Sequence, residues 1–167
     1  MSTDIEKLVR EAVRVIKESD PKPVREKKRV TELTLSDARF LAHEVEKKAA
    51  EMGVNAVVAI ADAGGNLKLC ECMDNAYLAS RDIAINKAYT VVALKMSTKK
   101  LSGLALPGAP LYGIQHTNGG RIVIFGGGDP LEAGGRIVGG LGVSGGSEEQ
   151  DTALSAYGRK LFEENFT

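Results

Sequence analysis

The sequence predicts a small α+β domain in which helices cover a mainly antiparallel sheet. Helical and alternating apolar patterns follow in the order helix, hairpin, helix, strands, helix, and strands joined by short turns pair antiparallel. The 167 residues are 43% hydrophobic but only 5% aromatic, which suits one aliphatic core. Fifteen of the nineteen glycines lie between Gly103 and Gly146. This glycine-rich half indicates strands and tight turns that shape a pocket or an interface surface.

Residues 3–18 predict an amphipathic helix that stands apart from the domain. Thr3 and Glu6 have capping-box spacing, and the helix must end near Pro21. We expect a helix at 1–20, a linker at 21–30 and the domain at 31–167. A short helix beyond a polar linker needs a partner surface, which is its own domain, a dimer interface or another protein. Its apolar stripe contains Ile5, Leu8, Val9, Val13 and Ile16.

The first half of the domain predicts a helix and a hairpin. The helix covers Leu35 to Met52, with Thr34 or Ser36 as N-cap and Gly53 at its end. Strands follow at 55–61 and 67–73, and the glycines and Asx residues between them favour a hairpin turn. We therefore expect these two strands to pair antiparallel.

The second half predicts two further helices, one short helix and three more strands. A helix runs from about Ser80 to Leu94, and Ser97 or Thr98 caps the short one. Ser147 and Gln150 form a capping box for a last helix that ends near Phe162. The strands are placed at 121–125, 131–133 and 136–143, which gives a central sheet of about five strands.

Composition excludes several classes of partner. Lys plus Arg and Asp plus Glu both total 22, and no basic stripe with interleaved aromatics suggests nucleic-acid binding. No signal-peptide pattern or bilayer-spanning apolar run occurs, so a cytoplasmic protein without a membrane partner is expected. Cys70 and Cys72 alternate along one strand and are poorly placed to bridge each other, so reduced thiols packed in the core are favoured.

Two glycine motifs resemble catalytic or nucleotide-binding loops without their chemistry. The run 142–146 matches the nucleophile elbow G-x-S-x-G around Ser144, but no histidine follows His116. A turn into a capped helix is favoured, and its backbone N–H groups could still dock an anionic ligand. The run 126–130 lacks the lysine of a phosphate loop, so close backbone packing or ligand approach is more plausible.

The loop from Pro107 to Gly120 is the candidate pocket for a small metabolite. Rigid prolines there accompany several polar side chains that can line a pocket. Alternatively, it is an ordered surface loop whose side chains bond to its own backbone. The candidate pocket residues are Tyr112, Gln115, His116 and Asn118, together with Ser144.

His43 is the candidate cofactor ligand. The histidines and cysteines lack the paired spacing of a protein-only metal site, but haem needs only an axial ligand because the porphyrin supplies four nitrogens. Helical geometry places His43 opposite the Leu41/Val45 stripe, with Phe40, Lys47 and Arg39 nearby. An aromatic platform and cations for the propionates would suit an edge-bound or subunit-bridging haem. A solvated histidine, or one buried in an oligomer, satisfies the same pattern.

Several ordered motifs lie between residues 31 and 167: Ala61-Asp-Ala-Gly-Gly-Asn66, residues 79–89, Pro107 to Gly120, Phe125-Gly-Gly-Gly128, and Gly142 to Gly146 with Glu149-Gln-Asp151. Together they resemble the GlcG/HbpS family, and most of all the C-terminal domain of PduO. The resemblance implies a profilin-like α-β-α sandwich, usually oligomeric, with haem binding in some members. It also implies that the histidine on the first helix, here His43, is the axial haem ligand.

The resemblance also frames the functional hypotheses. The adenosyltransferase of PduO is a separate domain, so corrinoid adenosylation is not expected of this one. The N-terminal helix resembles the encapsulation peptides of bacterial microcompartments, which implies shell or cargo proteins as partners and a place in the microcompartment lumen. The leading hypothesis is a haem-binding, non-catalytic accessory protein linked to cobalamin-dependent diol metabolism. The alternatives are an enzyme for a small hydroxy or aldehyde metabolite, using the 107–120 loop, and a scaffold.

Overall fold

A computed structural model describes residues 32–166, and the predicted N-terminal helix and linker lie outside them. The domain has four helices, α1 (Leu35–Glu51), α2 (Leu78–Leu94), α3 (Thr98–Leu104) and α4 (Glu148–Phe166). Its strands are β1 (Val57–Asp62), β2 (Leu67–Cys72), β3 (Gly128–Ala133) and β4 (Arg136–Ser144). Within residues 32–166, no helix has the length and apolarity to cross a membrane.

The predicted helix caps are present. Thr34 and Asp37 form a reciprocal capping box at the start of α1, and Gly53 follows α1 with a φ of 67°. Ser97 accepts a hydrogen bond from the Lys100 N–H at the start of α3. At α4 the backbone N–H of Ser147 donates to Gln150, and that of Gln150 donates to Ser147. These local signals fix where each helix begins because they satisfy N–H groups that the helix itself cannot.

The sheet has four strands in the order β2-β1-β4-β3, and every pair is antiparallel. The α+β prediction is confirmed, but the predicted fifth strand at 121–125 is wrong. That segment runs beside α2, where the Thr90 hydroxyl accepts from the Val123 N–H at 3.0 Å. Its own hydrogen is shared between the Asn86 carbonyl at 2.7 Å and the Arg121 carbonyl at 3.3 Å. A side chain thus takes backbone groups that a neighbouring strand would otherwise pair.

One face of the sheet, the α1/α4 face, carries the large apolar core. Val58 and Ile60 of β1 point to this side together with Leu141 of β4. Phe162 and Phe166 of α4 stack there with ring centroids 5.1 Å apart. Burial of large side chains drives this contact, since fully burying one contributes about 1.5–3 kcal/mol.

The opposite face, the α2 face, is built from small residues. A Cβ at Gly142 would lie 2.6 Å from the Ala88 nitrogen and would overlap the Ala84 carbonyl oxygen. At Gly140 it would lie 2.6 Å from Val91 Cγ2. The glycines therefore allow the backbone of α2 to rest directly on β4. Much of the glycine-rich half serves this close packing, which the sequence suggested only for residues 126–130.

Candidate functional site

His43 lies on the exposed side of α1. Among residues 32–166 its ring nitrogens have no hydrogen-bond partner, so both are available. Arg39 and Lys47 are exposed on the same helix, and Lys47 Nζ lies 3.3 Å from Glu44 Oε1. The predicted ligand and the two predicted cations thus share the surface of one helix.

Phe40 is not the exposed platform that the sequence suggested. It is half-buried, it packs against the core of the α1/α4 face, and its ring meets Phe166 edge to face at a centroid distance of 5.8 Å. The helix α4 continues to Phe166, four residues past its predicted end. Because of this extension, the Phe40 ring packs against Phe166 in the core and does not stand free beside His43.

Acidic groups also surround this surface. Burial raises the pKa of Glu46, the nearby carboxylate of Glu71 raises it further, and the charge of His43 opposes both effects. Glu44 is half-buried beside Lys47. The anionic propionates of a haem would therefore need Arg39 and Lys47 to offset these carboxylates.

As a haem site, the His43 surface offers the right donor on an exposed helix face. An exposed imidazole whose nitrogens have no hydrogen-bond partner among residues 32–166 is a suitable axial ligand. The three cavities described below contain no α1 residue in their linings. A haem held here would lie against the exposed face of α1.

The 107–120 loop is exposed and contains two short 3-10 turns, 114–116 and 118–120. The Tyr112 side chain is 65% exposed. Asn118 donates to the Tyr89 hydroxyl at 3.3 Å, and His116 Nε2 lies 3.5 Å from Gln115 Nε2. None of these four loop residues lines the three cavities described here. The structure therefore does not bring the loop together with Ser144 in any of those cavities.

Ser144 lies at the end of β4 and is only 5% exposed. Its hydroxyl lies 3.2 Å from that of Ser80 on α2. The following turn offers little to an anion, because the Gly146 N–H donates to Asp151 at 2.9 Å and the Ser147 N–H donates to Gln150. The elbow-like sequence is therefore a turn into a helix whose own side chains occupy these two N–H groups.

A buried ion pair, which sequence reasoning missed, lies behind this turn. The side chain of Lys87 is fully buried, and its Nζ donates to Asp151 Oδ2 and to the Val143 carbonyl, both at 2.8 Å. It also lies 4.8 Å from the centre of the Phe125 ring. Burial lowers the pKa of Lys87, and the charge of Asp151 opposes that shift.

The sequence did contain a signal for this lysine. Ala84, Lys87, Ala88 and Val91 recur at the spacing of one buried helix stripe, so the stripe includes a charge. A buried lysine requires a partner, and Asp151 lies in the last of the resembling motifs. A Cβ at Gly127, the middle glycine of the run 126–128, would be 2.6 Å from Lys87 Nζ, so the buried lysine favours glycine at that position.

Three of the cavities that residues 32–166 form are open to the surface. One of about 300 Å³ lies beside Ser80 and Ser144. A polar one of about 460 Å³ flanks the other side of the Gly145-Gly146 turn and includes Asn55 and Asn75. The third, of about 570 Å³, lies at the far end of β4 near Lys95 and Arg136. The first has the most buried polar groups in its lining.

The two cysteines differ in their surroundings. Cys70 is half-buried against the small core of the α2 face, whereas Cys72 is exposed, so the expectation of two core-packed thiols is wrong for Cys72. Burial and the neighbouring Cys72 raise the pKa of Cys70 to about 11. Across residues 32–166, no cluster of three or more metal-ligating side chains is present.

Similar proteins match most of the chain. A relative from Citrobacter freundii, an uncharacterized 15.0 kDa protein in the dhaT-dhaS intergenic region, is 44% identical over 135 residues, covering 81% of this chain and 95% of its own. The corrinoid adenosyltransferase PduO of Salmonella typhimurium is 41% identical over 123 residues. The match covers 74% of this chain but only 37% of PduO.

Solved structures share the fold. Protein ORFY of Klebsiella pneumoniae has a TM-score of 0.76 at 39% identity, over 87% of this chain and 98% of its own. A structure of a PduOC:haem complex has a TM-score of 0.75 at 38% identity, over 78% of this chain and 94% of its own. The sequence profile of the family described as haem degrading protein HbpS-like matches residues 33–160. The chain therefore belongs to the HbpS-like family.

Proposed function

We propose that this protein is a haem-binding accessory protein in which His43 is the axial ligand. One observation carries the assignment to His43: its imidazole is exposed on α1 and has no hydrogen-bond partner among residues 32–166. The haem complex of the PduOC relative supports the choice of cofactor. When bound, haem supplies an iron centre for redox or ligand-binding chemistry.

Different residues of α1 would contact the iron and the propionates of the haem. His43 supplies the nitrogen, while Arg39 and Lys47 attract the propionates. Lys47 already contacts Glu44 at 3.3 Å, an exposed pair of a kind that contributes little, so it can exchange partners. Because α1 offers an open surface, we propose a homo-oligomer in which a second copy covers the haem.

A haem titration tests this proposal, and the second histidine of the chain, His116, provides the matched control variant. Haem is added to the purified full-length protein and to its His43→Ala and His116→Ala variants, and the Soret band is followed. We expect a shifted, saturable band in the parent and in His116→Ala, and its loss in His43→Ala. Loss only in His116→Ala would move the ligand to the 107–120 loop.

The subunit arrangement requires a separate measurement. Light scattering coupled to size exclusion gives the mass of the protein with and without haem, and the pyridine haemochrome gives the haem content. We expect an oligomer that binds no more than one haem per protomer. A haem-loaded monomer would contradict the shared site while leaving His43 as a possible ligand.

We further propose that the protein acts in the lumen of a bacterial microcompartment that serves cobalamin-dependent diol metabolism. The similarity to PduO and to a protein from the dhaT-dhaS region supports this context. The apolar stripe Ile5, Leu8, Val9, Val13 and Ile16 would dock on shell or cargo proteins. Fusing residues 1–20 to a fluorescent protein in a compartment-forming cell should give puncta. Diffuse fluorescence, with an established encapsulation peptide as positive control, would contradict this role.

A further inference from the structure

The cavity beside Ser80 and Ser144 has the features of a small-molecule site that is separate from the His43 surface. It lies on the α2 face of the sheet, whereas α1 packs on the opposite face. Its volume of about 300 Å³ is at the lower end of ligand pockets. Apolar surface comes from Ile83 and the ring of Phe125, and polar groups converge from Ser80, Ser144, Glu148 and Asp151.

The two serines leave one hydrogen-bond donor unused. Ser80 is 4% exposed and Ser144 is 5% exposed, and their hydroxyls share a single hydrogen bond of 3.2 Å. Each hydroxyl has one hydrogen, so this bond uses one of two. Neither hydroxyl has another partner among residues 32–166. A buried donor without an acceptor is unfavourable, so a ligand oxygen that accepts the second hydrogen would be stabilised there.

The carboxylates of the cavity are already neutralised. Asp151 accepts from Lys87 Nζ at 2.8 Å and from the Gly146 N–H at 2.9 Å. Glu148 accepts from Lys99 Nζ at 3.0 Å and from the Gly126 N–H at 3.1 Å, contacts that hold its pKa below the usual range. Both keep spare lone pairs that can accept a hydrogen from a ligand. Because each carboxylate has a lysine partner, the cavity offers no unpaired charge to attract either an anionic or a cationic ligand.

We propose that this cavity binds a small neutral alcohol. A hydroxyl group can accept the unused hydrogen of the serine pair and donate its own hydrogen to a carboxylate. An ionised carboxylate can only accept, and an ammonium group can only donate. The short carbon chain would lie against Ile83 and Phe125. This site goes beyond the proposed haem function, and neither depends on the other.

An isosteric series of ligands tests the charge of the preferred compound. n-Propanol, propionate and n-propylamine are titrated separately into full-length, isotope-labelled protein, and backbone amide shifts are followed by NMR. We expect saturable shifts for n-propanol that centre on Ser80, Ile83 and residues 144–148, with weaker binding of both ions. Tighter binding of either ion would overturn the neutral class, and shifts that never saturate would overturn the site.

Variants test the geometry of the site. Ser80→Ala should weaken n-propanol binding about three- to tenfold, the effect of losing one hydrogen bond, because Ser144 donates to Ser80 and the Ser80 hydrogen is the unused one. Ile83→Phe should abolish binding by filling the cavity without removing a core side chain. Ser102→Ala is the matched control, because Ser102 is half-buried on α3 and its hydroxyl has a single partner among residues 32–166, the Lys99 carbonyl. Unchanged affinity in both Ser80→Ala and Ile83→Phe would overturn the proposal.

Discussion

The two faces of the sheet are covered by helices in different ways. On the α1/α4 face, large aliphatic and aromatic side chains fill the space between sheet and helices. On the α2 face, Gly140 and Gly142 let the helix backbone touch the strand, and the largest buried side chain is a lysine. The first face can absorb small changes in volume, whereas the second is fixed by backbone contact and by one ion pair.

The largest effect is expected from Gly142→Ala on the α2 face. Its Cβ would overlap the Ala84 carbonyl oxygen and would lie 2.6 Å from the Ala88 nitrogen. Both are backbone atoms of α2, so they cannot move aside as a flexible side chain could. Because α2 must move away from β4, we expect a loss of more than about 4 kcal/mol in the free energy of unfolding. Urea denaturation followed by circular dichroism measures it. A loss under about 1 kcal/mol would show that α2 shifts without difficulty and would erase the contrast between the faces.

Lys87→Met should cost about 3–5 kcal/mol, because the buried Asp151 carboxylate loses its charged partner. The double variant Lys87→Met/Asp151→Asn should recover most of that loss, since no unpaired charge remains. A double-mutant cycle by chemical denaturation measures the coupling. If the two losses simply add, the ion pair does not hold this face together.

The same lysine should give a pH dependence of stability. Burial lowers its native pKa below the ordinary value of 10.5. Between these two values the unfolded chain binds more protons than the native one, so the Lys87 contribution to stability rises with pH. In Lys87→Met this rise should disappear, as measured by thermal unfolding from neutral pH to pH 10.5. The same slope in both proteins would contradict the assignment.

A smaller effect is expected from Ile60→Val on the α1/α4 face. Ile60 is fully buried, but removal of one methyl group leaves only a small void between flexible side chains. We expect a loss of about 0.5–1.5 kcal/mol, measured by the same urea denaturation. A loss as large as that of Gly142→Ala would show that the two faces are equally rigid.

The smallest effect, and one of opposite sign, is expected from Gly103→Ala in α3. Gly103 has open space around its Cβ position and an ordinary φ. Alanine favours the helix and restricts the unfolded chain, so we expect a gain of about 0.4–1 kcal/mol. Thermal unfolding checks this value. A loss of stability would mean that glycine is required at this position even though no atom lies close to the added Cβ.

Elements of the α1/α4 face were easier to predict from the sequence than the contacts of the α2 face. On the α1/α4 face, local signals such as the Thr34 cap and the apolar run of β1 predicted the start of α1 and the position of β1 correctly, whereas the end of α4 was predicted four residues too early. The error at 121–125 arose because the Thr90 hydroxyl, distant in sequence, takes backbone groups of that segment. Lys87 was missed because its partner Asp151 lies 64 residues away.

For the candidate sites too, local features could be predicted from the sequence and long-range contacts could not. Helical periodicity placed His43 on the outer surface of α1, and the structure agrees that it is exposed. It could not show that Phe40 meets Phe166, because the length of α4 decides that contact. The Ser80–Ser144 cavity joins the start of α2 to the end of β4, so no single motif contains it.

The strand order leaves two open edges, and both discourage sheet extension from one molecule to the next. The outer strand β3 contains Pro130, which has no N–H to offer, between the charged residues Asp129 and Glu132. The other outer strand, β2, carries Lys68 and Glu71. Such features block edge-to-edge polymerisation of sheets. We therefore expect copies of this chain to associate through helix and loop surfaces, as finite assemblies rather than growing fibres.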